Sequence, residues 1–263
     1  MKNKNMVLVL VGIIAVALAG YYSYKTFLGP IGMREIKDPA FSIYLDNKVK
    51  SLEEATDWYE VKIKYPEQNA GAASFVFKQW NDFANEFQLK SIKNRKDAQE
   101  KLGLGDMPEQ KYSFNADYKL VEGGTLFGTS TLTYVFTIYN YTGGAHGSTY
   151  IAAYTIDEYG KVYSTEEILP TDKLANISEY VTSEIQKQRK ARMTPEDSGL
   201  SKTEIDELLK DDTWVKEGTA PTRENYSVVW PEGSDVVVNF GQYQVASYAE
   251  GMYEVKVPKK MLE

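Results

Sequence analysis

Polar and apolar positions alternate with period two over residues 58–65 (WYEVKIKY): Tyr59, Val61, Ile63 and Tyr65 share one face, Glu60, Lys62 and Lys64 the other. This rhythm predicts a half-buried antiparallel strand stopped at Pro66. The period then lengthens. Val76, Trp80, Phe83, Ala84 and Phe87 recur at helical spacing in a segment running to about Lys101, with Gly103 as its stop. Such an aromatic-rich stripe belongs to core packing rather than to a cofactor box. Period two returns at Lys111–Leu120, where Tyr112, Phe114, Ala116, Tyr118 and Leu120 line one face, and Gly123-Gly124 predicts a hairpin turn. Ser130–Tyr141 (STLTYVFTIYNY) is the most β-prone stretch; it enters the loop Thr142–Gly147, followed by a strand over Thr149–Ile156 and a turn at Glu158-Tyr159-Gly160.

From Pro170 the pattern is helical again. Leu174, Ile177, Val181 and Ile185 form one stripe, and Lys187, Arg189, Lys190 and Arg192 close the helix as a basic cluster that complements its dipole. Ser201-Lys202-Thr203-Glu204 is a capping-box pattern ahead of Ile205 and Leu208. Strands are predicted at Tyr226–Trp230, Asp235–Phe240 and Tyr253–Val257, with an irregular Tyr-rich stretch before the last. The order β-α-β-β-β-α-α-β-β-β predicts an α+β fold, an antiparallel sheet with helices packed on one side.

The N-terminus breaks both rhythms. Val7–Ala19 (VLVLVGIIAVALA) is apolar without periodicity inside an uncharged run from Asn5 to Tyr24. Twenty helical residues span about 30 Å, one hydrocarbon thickness. Two expectations compete. Lys2 and Lys4, a short apolar core and Ala17-Leu18-Ala19 describe a cleavable signal peptide; Tyr21, Tyr22 and Tyr24 before Lys25 describe the interfacial belt of an uncleaved transmembrane helix. Either route carries the remainder across the membrane. The expected organisation is a cytoplasmic tail at 1–5, the anchor or signal at 6–24 and a Gly/Pro-punctuated stalk at 25–40. An N-terminal half of the ectodomain follows at 41–160, opening with Phe41–Leu45, and a C-terminal half at 161–258.

Composition narrows the chemistry. Hydrophobic content of 43% with 13% aromatics calls for a folded core. The formal charge of −7, or −9 once the +2 of Lys2 and Lys4 is removed, argues against nucleic acid or anionic lipid as partner and suits a cationic one. Zero Cys excludes disulfides, thiol catalysis and thiolate metal sites. His146 is the single histidine, which excludes a multi-histidine zinc centre. No Walker loop, dinucleotide fingerprint, EF-hand or G-x-S-x-G elbow is present, so no cofactor and no metal are expected. Paired carboxylates leave no local signature; Glu53-Glu54, Glu166-Glu167 and Asp211-Asp212 are the adjacent acids.

Two segments stand apart. In YNYTGGAHG (Tyr139–Gly147), Gly143, Gly144 and Gly147 allow a tight turn around His146, whose imidazole is either a loop-tip contact or a brace on a backbone carbonyl. FGQYQVASYAEG (Phe240–Gly251) is too rich in Tyr and Gln for a core strand. Together the segments resemble the paired domains of RsiV-type proteins, over roughly residues 41–258. These domains occur in a lysozyme-sensing membrane anti-sigma factor and beside peptidoglycan deacetylase domains, and members commonly carry Pro where this chain has Ser247. The resemblance implies an extracytoplasmic α+β domain that binds lysozyme or cell-wall glycan. It places the contact surface at Gly143, Gly144, His146 and Gly147 with Tyr243, Tyr248 and Glu250. Five residues ahead of the apolar run leave no room for a sigma-binding domain, and a lone histidine does not supply a deacetylase metal site. The expectation is therefore a non-enzymatic, single-pass, membrane-tethered binder of the bacterial envelope. The alternative is a peptidoglycan hydrolase using two carboxylates, with His146 orienting substrate.

Overall fold

A computed structural model describes residues 48–263 apart from 87–90, 92, 95, 98–99, 102–110, 144 and 194–200. By its contacts the chain divides into Met1–Pro39 and Ala40–Glu263, and every described residue belongs to the second unit. The apolar run, the stalk and the strand expected at Phe41–Leu45 lie outside the described residues. Among those described, no helix is long and apolar enough to cross a membrane.

The element order is β1 (Val49–Ala55), β2 (Tyr59–Pro66), α1 (Ala70–Glu86), β3 (Tyr112–Leu126), β4 (Thr129–Tyr141), β5 (Ser148–Asp157), β6 (Val162–Tyr163), α2 (Thr165–Ile168), α3 (Leu174–Arg192), α4 (Lys202–Lys210), α5 (Thr213–Gly218), β7 (Val228–Glu232), β8 (Asp235–Phe240) and β9 (Tyr253–Pro258). The class is α+β, but the single antiparallel sheet gives way to two sheets. β1 to β6 pair in sequence order, and β7-β8-β9 form a separate three-stranded sheet. Within the larger sheet β2 and β3 run parallel, Tyr59 facing Tyr112 and Ile63 facing Ala116. The helix α1 lies in the connection between them, and a helical crossover of that kind joins parallel strands. β1 carries no alternation because all seven of its residues are exposed at the sheet edge.

Helices flank the sheets on both outer faces, not on one side. Val76 of α1 packs with Val61, Phe114, Tyr134, Phe136 and Ile138 on one face of the large sheet. The other face of that sheet meets the small sheet, where Val121, Val135 and Ile151 pack on Trp230 and Val237. On the far side of the small sheet, Leu174, Ile177, Val181 and Ile185 of α3 pack on Val236, Val238, Phe240 and Val255. All four predicted stripe residues of α3 are fully buried, worth about 1.5–3 kcal/mol each. β4 is buried on both faces through Thr131–Phe136, which explains why its sequence is continuously β-prone instead of alternating.

The hairpin turn predicted at Gly123-Gly124 falls elsewhere. Leu126 pairs with Thr129, so the two-residue loop is Phe127-Gly128; Gly123-Gly124 is an irregularity within β3, where the register shifts between Val121 and Gly124. The glycine is needed there for packing. A Cβ on Gly124 would lie 2.6 Å from the Thr131 hydroxyl and 2.8 Å from the Pro231 carbonyl of β7, in the neighbouring sheet. Gly124→Ala should therefore cost about 1–3 kcal/mol in urea unfolding, as expected for overpacking. Gly241→Ala, whose Cβ meets nothing within 4 Å, should stay within about 0.5 kcal/mol of the parent.

Candidate functional site

The Gly/His loop joins β4 to β5 beyond the last rung, Asn140 with Ser148. Gly143 has φ +95°, a left-handed value that favours glycine. Gly147 has no room for a side chain, since its Cβ would stand 2.4 Å from the Tyr139 ring. Gly144 lies outside the described residues. His146 is exposed at the loop tip. Its Nδ1 lies 3.0 Å from the Gly147 carbonyl and its Nε2 lies 3.2 Å from the Tyr243 hydroxyl. A carbonyl only accepts, so that contact places the proton on Nδ1 and leaves Nε2 to accept from Tyr243.

The Tyr-rich segment supplies the other half. Tyr248 stacks on the His146 ring at 3.7 Å between centroids and 21° between planes, and its hydroxyl donates to the Gly147 carbonyl at 2.9 Å. Tyr243 lies 6.3 Å from His146 and 5.6 Å from Tyr248. It adopts φ +65°, a conformation costly for a side-chain-bearing residue. Trp214 at the start of α5 holds it: the indole Nε1 donates to the Tyr243 carbonyl at 2.8 Å, and the two rings stack at 6.5 Å. Gln242 accepts from the Thr149 amide at 2.8 Å, tying this segment to β5. Gln244 donates to the carbonyls of Gly218 and Asn225. Trp214 is 43% and Tyr243 49% exposed, so the cluster presents a ledge of aromatic faces.

Glu250 faces inward. Its carboxylate accepts two hydrogen bonds from Arg189, 2.8 Å from Nε and 3.2 Å from Nη2, and one from the Tyr253 hydroxyl at 3.0 Å. Both partners of the ion pair have side chains only 8% exposed. Burial alone would raise this carboxyl, but the hydrogen bonds and charge of Arg189 outweigh it and hold Glu250 below its ordinary value. Burial and the Glu250 charge push the Tyr253 phenol up to about 12. Arg192 donates to the carbonyls of Glu250 and Met252 and covers the Tyr253 ring at 4.0 Å. The basic cluster of α3 thus clamps the Tyr-rich segment, in addition to any effect on its own helix dipole. Ser247 has φ −63°, a value proline shares, but its amide and hydroxyl donate to Glu250 at 3.4 and 3.3 Å.

The loop and the Tyr-rich segment, singled out separately in the sequence, therefore meet through His146, Tyr243, Tyr248 and Gly147. Trp214, Gln242 and Arg189 were missed as members of the site. Trp214 carried a signal, an aromatic beside Asp211-Asp212 in a short polar helix. The adjacent acids are engaged locally: Glu166 accepts from Thr171, and Glu167 accepts from Ser164 and pairs with Lys161 at 2.8 Å. Glu54 accepts from Tyr59 at 2.5 Å, and Asp211 from the Thr213 amide. Among the described residues, no group of three or more His, Asp or Glu side chains could hold a metal ion.

Residues 52–149 match the family model described as Deacetylase PdaC, and residues 166–260 match a protein family of unknown function, DUF3298. The chain thus carries these two segments in series, the paired arrangement expected from its sequence. It is similar to peptidoglycan-N-acetylmuramic acid deacetylase PdaC of Bacillus subtilis, 27% identical over 157 residues. That alignment covers 59% of this chain and 29% of the deacetylase, so the chain spans less than a third of that relative. Two solved structures of DUF3298 family members are also similar. One from Bacteroides fragilis is 14% identical, covering 82% of this chain and 90% of its own, with a TM-score of 0.49. One from Pseudomonas aeruginosa PAO1 is 15% identical, covering 86% and 93%, with a TM-score of 0.45.

The buried ion pair yields a pH signature. Because the folded carboxyl lies below its ordinary value of 4.5, its contribution is complete above that pH and is lost as pH falls through the lower native value. Glu250→Gln, which leaves Arg189 without its counter-charge, should cost about 3–5 kcal/mol at pH 7. The gap between parent and variant in chemical denaturation should narrow below about pH 4.5.

Proposed function

We propose that the chain is a non-catalytic, membrane-tethered binding module of the bacterial envelope, and that the ledge of Trp214, Tyr243, His146 and Tyr248 takes a peptidoglycan glycan strand. The observation that carries this reading is the ledge itself: Trp214, Tyr243 and His146 are exposed beside half-buried Tyr248, and Trp214, His146 and Tyr248 are fixed by hydrogen bonds to backbone carbonyls. Pyranose rings have apolar C–H faces that pack on aromatic rings, while their hydroxyls seek donors and acceptors at the rim. Ordering the rings before binding removes much of the entropic cost of contact. The similarity to a deacetylase named for peptidoglycan supports a cell-wall glycan as ligand class. Gly143 and Gly147 flank His146 without bulky side chains, and Glu250 fixes the turn that carries Tyr248 through Ser247. The resemblance to RsiV-type domains and the division at about residue 160 enter as parts of the same proposal.

The charge of −7 favours one second reading, capture of a cationic protein such as lysozyme on this surface. The two separate by salt. In pull-downs with the 263-residue chain and purified peptidoglycan, stacking on glycan should change little between roughly 50 and 500 mM salt, whereas electrostatic capture of lysozyme weakens steeply. Tyr243→Ala and Trp214→Ala should each weaken glycan binding about tenfold, the loss of one good aromatic contact. Incubation should release neither acetate nor new reducing ends from the glycan. Retention that is equal in both variants overturns the ledge, and product release overturns the non-catalytic reading.

A further inference from the structure

A second aromatic surface lies away from the ledge. Pairing of Thr131 with Asp157 sets the β3–β4 and β5–β6 hairpin tips side by side, at the opposite end of β4 from the His146 loop. Phe127 at one tip is 76% exposed and Tyr159 at the other 77%. Exposed Val162 follows Tyr159 by three residues, and buried Tyr163 lies beneath the first tip, its ring stacked under Phe127 at 6.1 Å. Lys161 covers both rings, 4.2 Å from Tyr163 and 5.9 Å from Phe127.

Local chemistry does not account for Phe127. The two-residue loop Phe127-Gly128 has φ +50° and +84°, the positive pair of a type I′ turn, which Asn-Gly or Gly-Gly serves without strain. A bulky ring there is held in a disfavoured conformation and also turned into water. Two unfavourable choices at one position point to a use for the ring. The neighbouring tip, by contrast, is firmly built: Asp157 accepts from the amides of Tyr159 and Lys161, both at 2.9 Å, and from the Tyr163 hydroxyl at 3.0 Å.

We infer that these two tips dip into the interfacial layer of a lipid bilayer. The surface is a pair of convex protrusions, a shape that enters a deformable interface. Tyr is a residue of membrane-interface belts, an exposed Phe supplies apolar surface beside it, and Lys keeps its head in water while its stem lies along the rings. Lys161 is paired with Glu167, and Asp157 and Glu158 in the same tip leave the patch without excess positive charge, which suits zwitterionic rather than anionic headgroups. The inference rests on the tethered reading above for its bilayer. The stalk expected at 25–40 would give the tether a reach of at most about 55 Å. At such a distance the tether keeps even a weak contact populated.

The absence of cysteine makes a clean probe possible. The 263-residue chain carrying Glu158→Cys, labelled with an environment-sensitive dye, is reconstituted in phosphatidylcholine liposomes. Retention after a carbonate wash reports the anchor; a blue-shifted dye quenched by brominated acyl chains reports the tips. Both are expected. Phe127→Asn with Tyr159→Ser should abolish the shift while leaving retention and glycan binding intact, and Phe127→Asn alone should raise Tm. Water-like emission in retained chain, or a shift unchanged by the double variant, overturns the inference. If carbonate releases the chain, the anchor reading fails by itself. The same dye on Ala40–Glu263, which holds both sheets and all three described hydrophobic clusters, is then read on vesicles carrying it through a chelated His-tag.

Discussion

Stacking of the three-stranded sheet on the six-stranded one is the constraint from which the rest follows. It buries the second face of β4 and sets β7 against β3 closely enough that Gly124 admits no side chain. It also brings a loop from the first sheet next to a loop from the second. His146 belongs to the connection between β4 and β5, and Tyr243 and Tyr248 to the connection between β8 and β9. Neither segment makes a ledge alone. The contacts between them exist because Val135 and Ile151 pack on Trp230 and Val237 beneath.

Above that seam the ledge is held by polar interactions. The Arg189–Glu250 pair is desolvated on both sides, so it earns its place only if geometry and extra hydrogen bonds offset the cost of burying two charges. Bidentate Arg189, the Tyr253 hydroxyl and the Ser247 donors meet that requirement. The consequence is specificity of position: a short irregular segment with no sheet ladder of its own is fixed to α3. Tyr248 then stacks on His146, and Trp214 pins the strained backbone of Tyr243 from the other end.

The two ends of β4 have different chemistry. One carries a ledge with hydrogen-bonding partners at its rim, suited to a polar ligand with apolar faces. The other carries protruding aromatic tips beside a neutralised lysine. On the reading proposed above, polar recognition and apolar protrusion at opposite ends let the domain face two environments at once.

Local periodicity determined most of the elements by itself: β2, β8, β9, the buried stripe of α3 and the cap of α4 are where their patterns put them, because burial of one face leaves a repeat in the sequence. The Gly/His loop and the Tyr-rich segment also announced themselves, through residues that suit neither core nor ordinary turn. Tertiary structure decided what pattern does not encode. β1 is an exposed edge strand without alternation, and β2 and β3 are parallel because a helix crosses between them. Gly123-Gly124 became a sheet contact rather than a turn, since a glycine pair looks alike whether it serves φ or proximity. Trp214 and Arg189 joined the site from distant positions, through one hydrogen bond and one ion pair. Such contacts depend on where whole elements settle, and one-dimensional spacing carries no record of that.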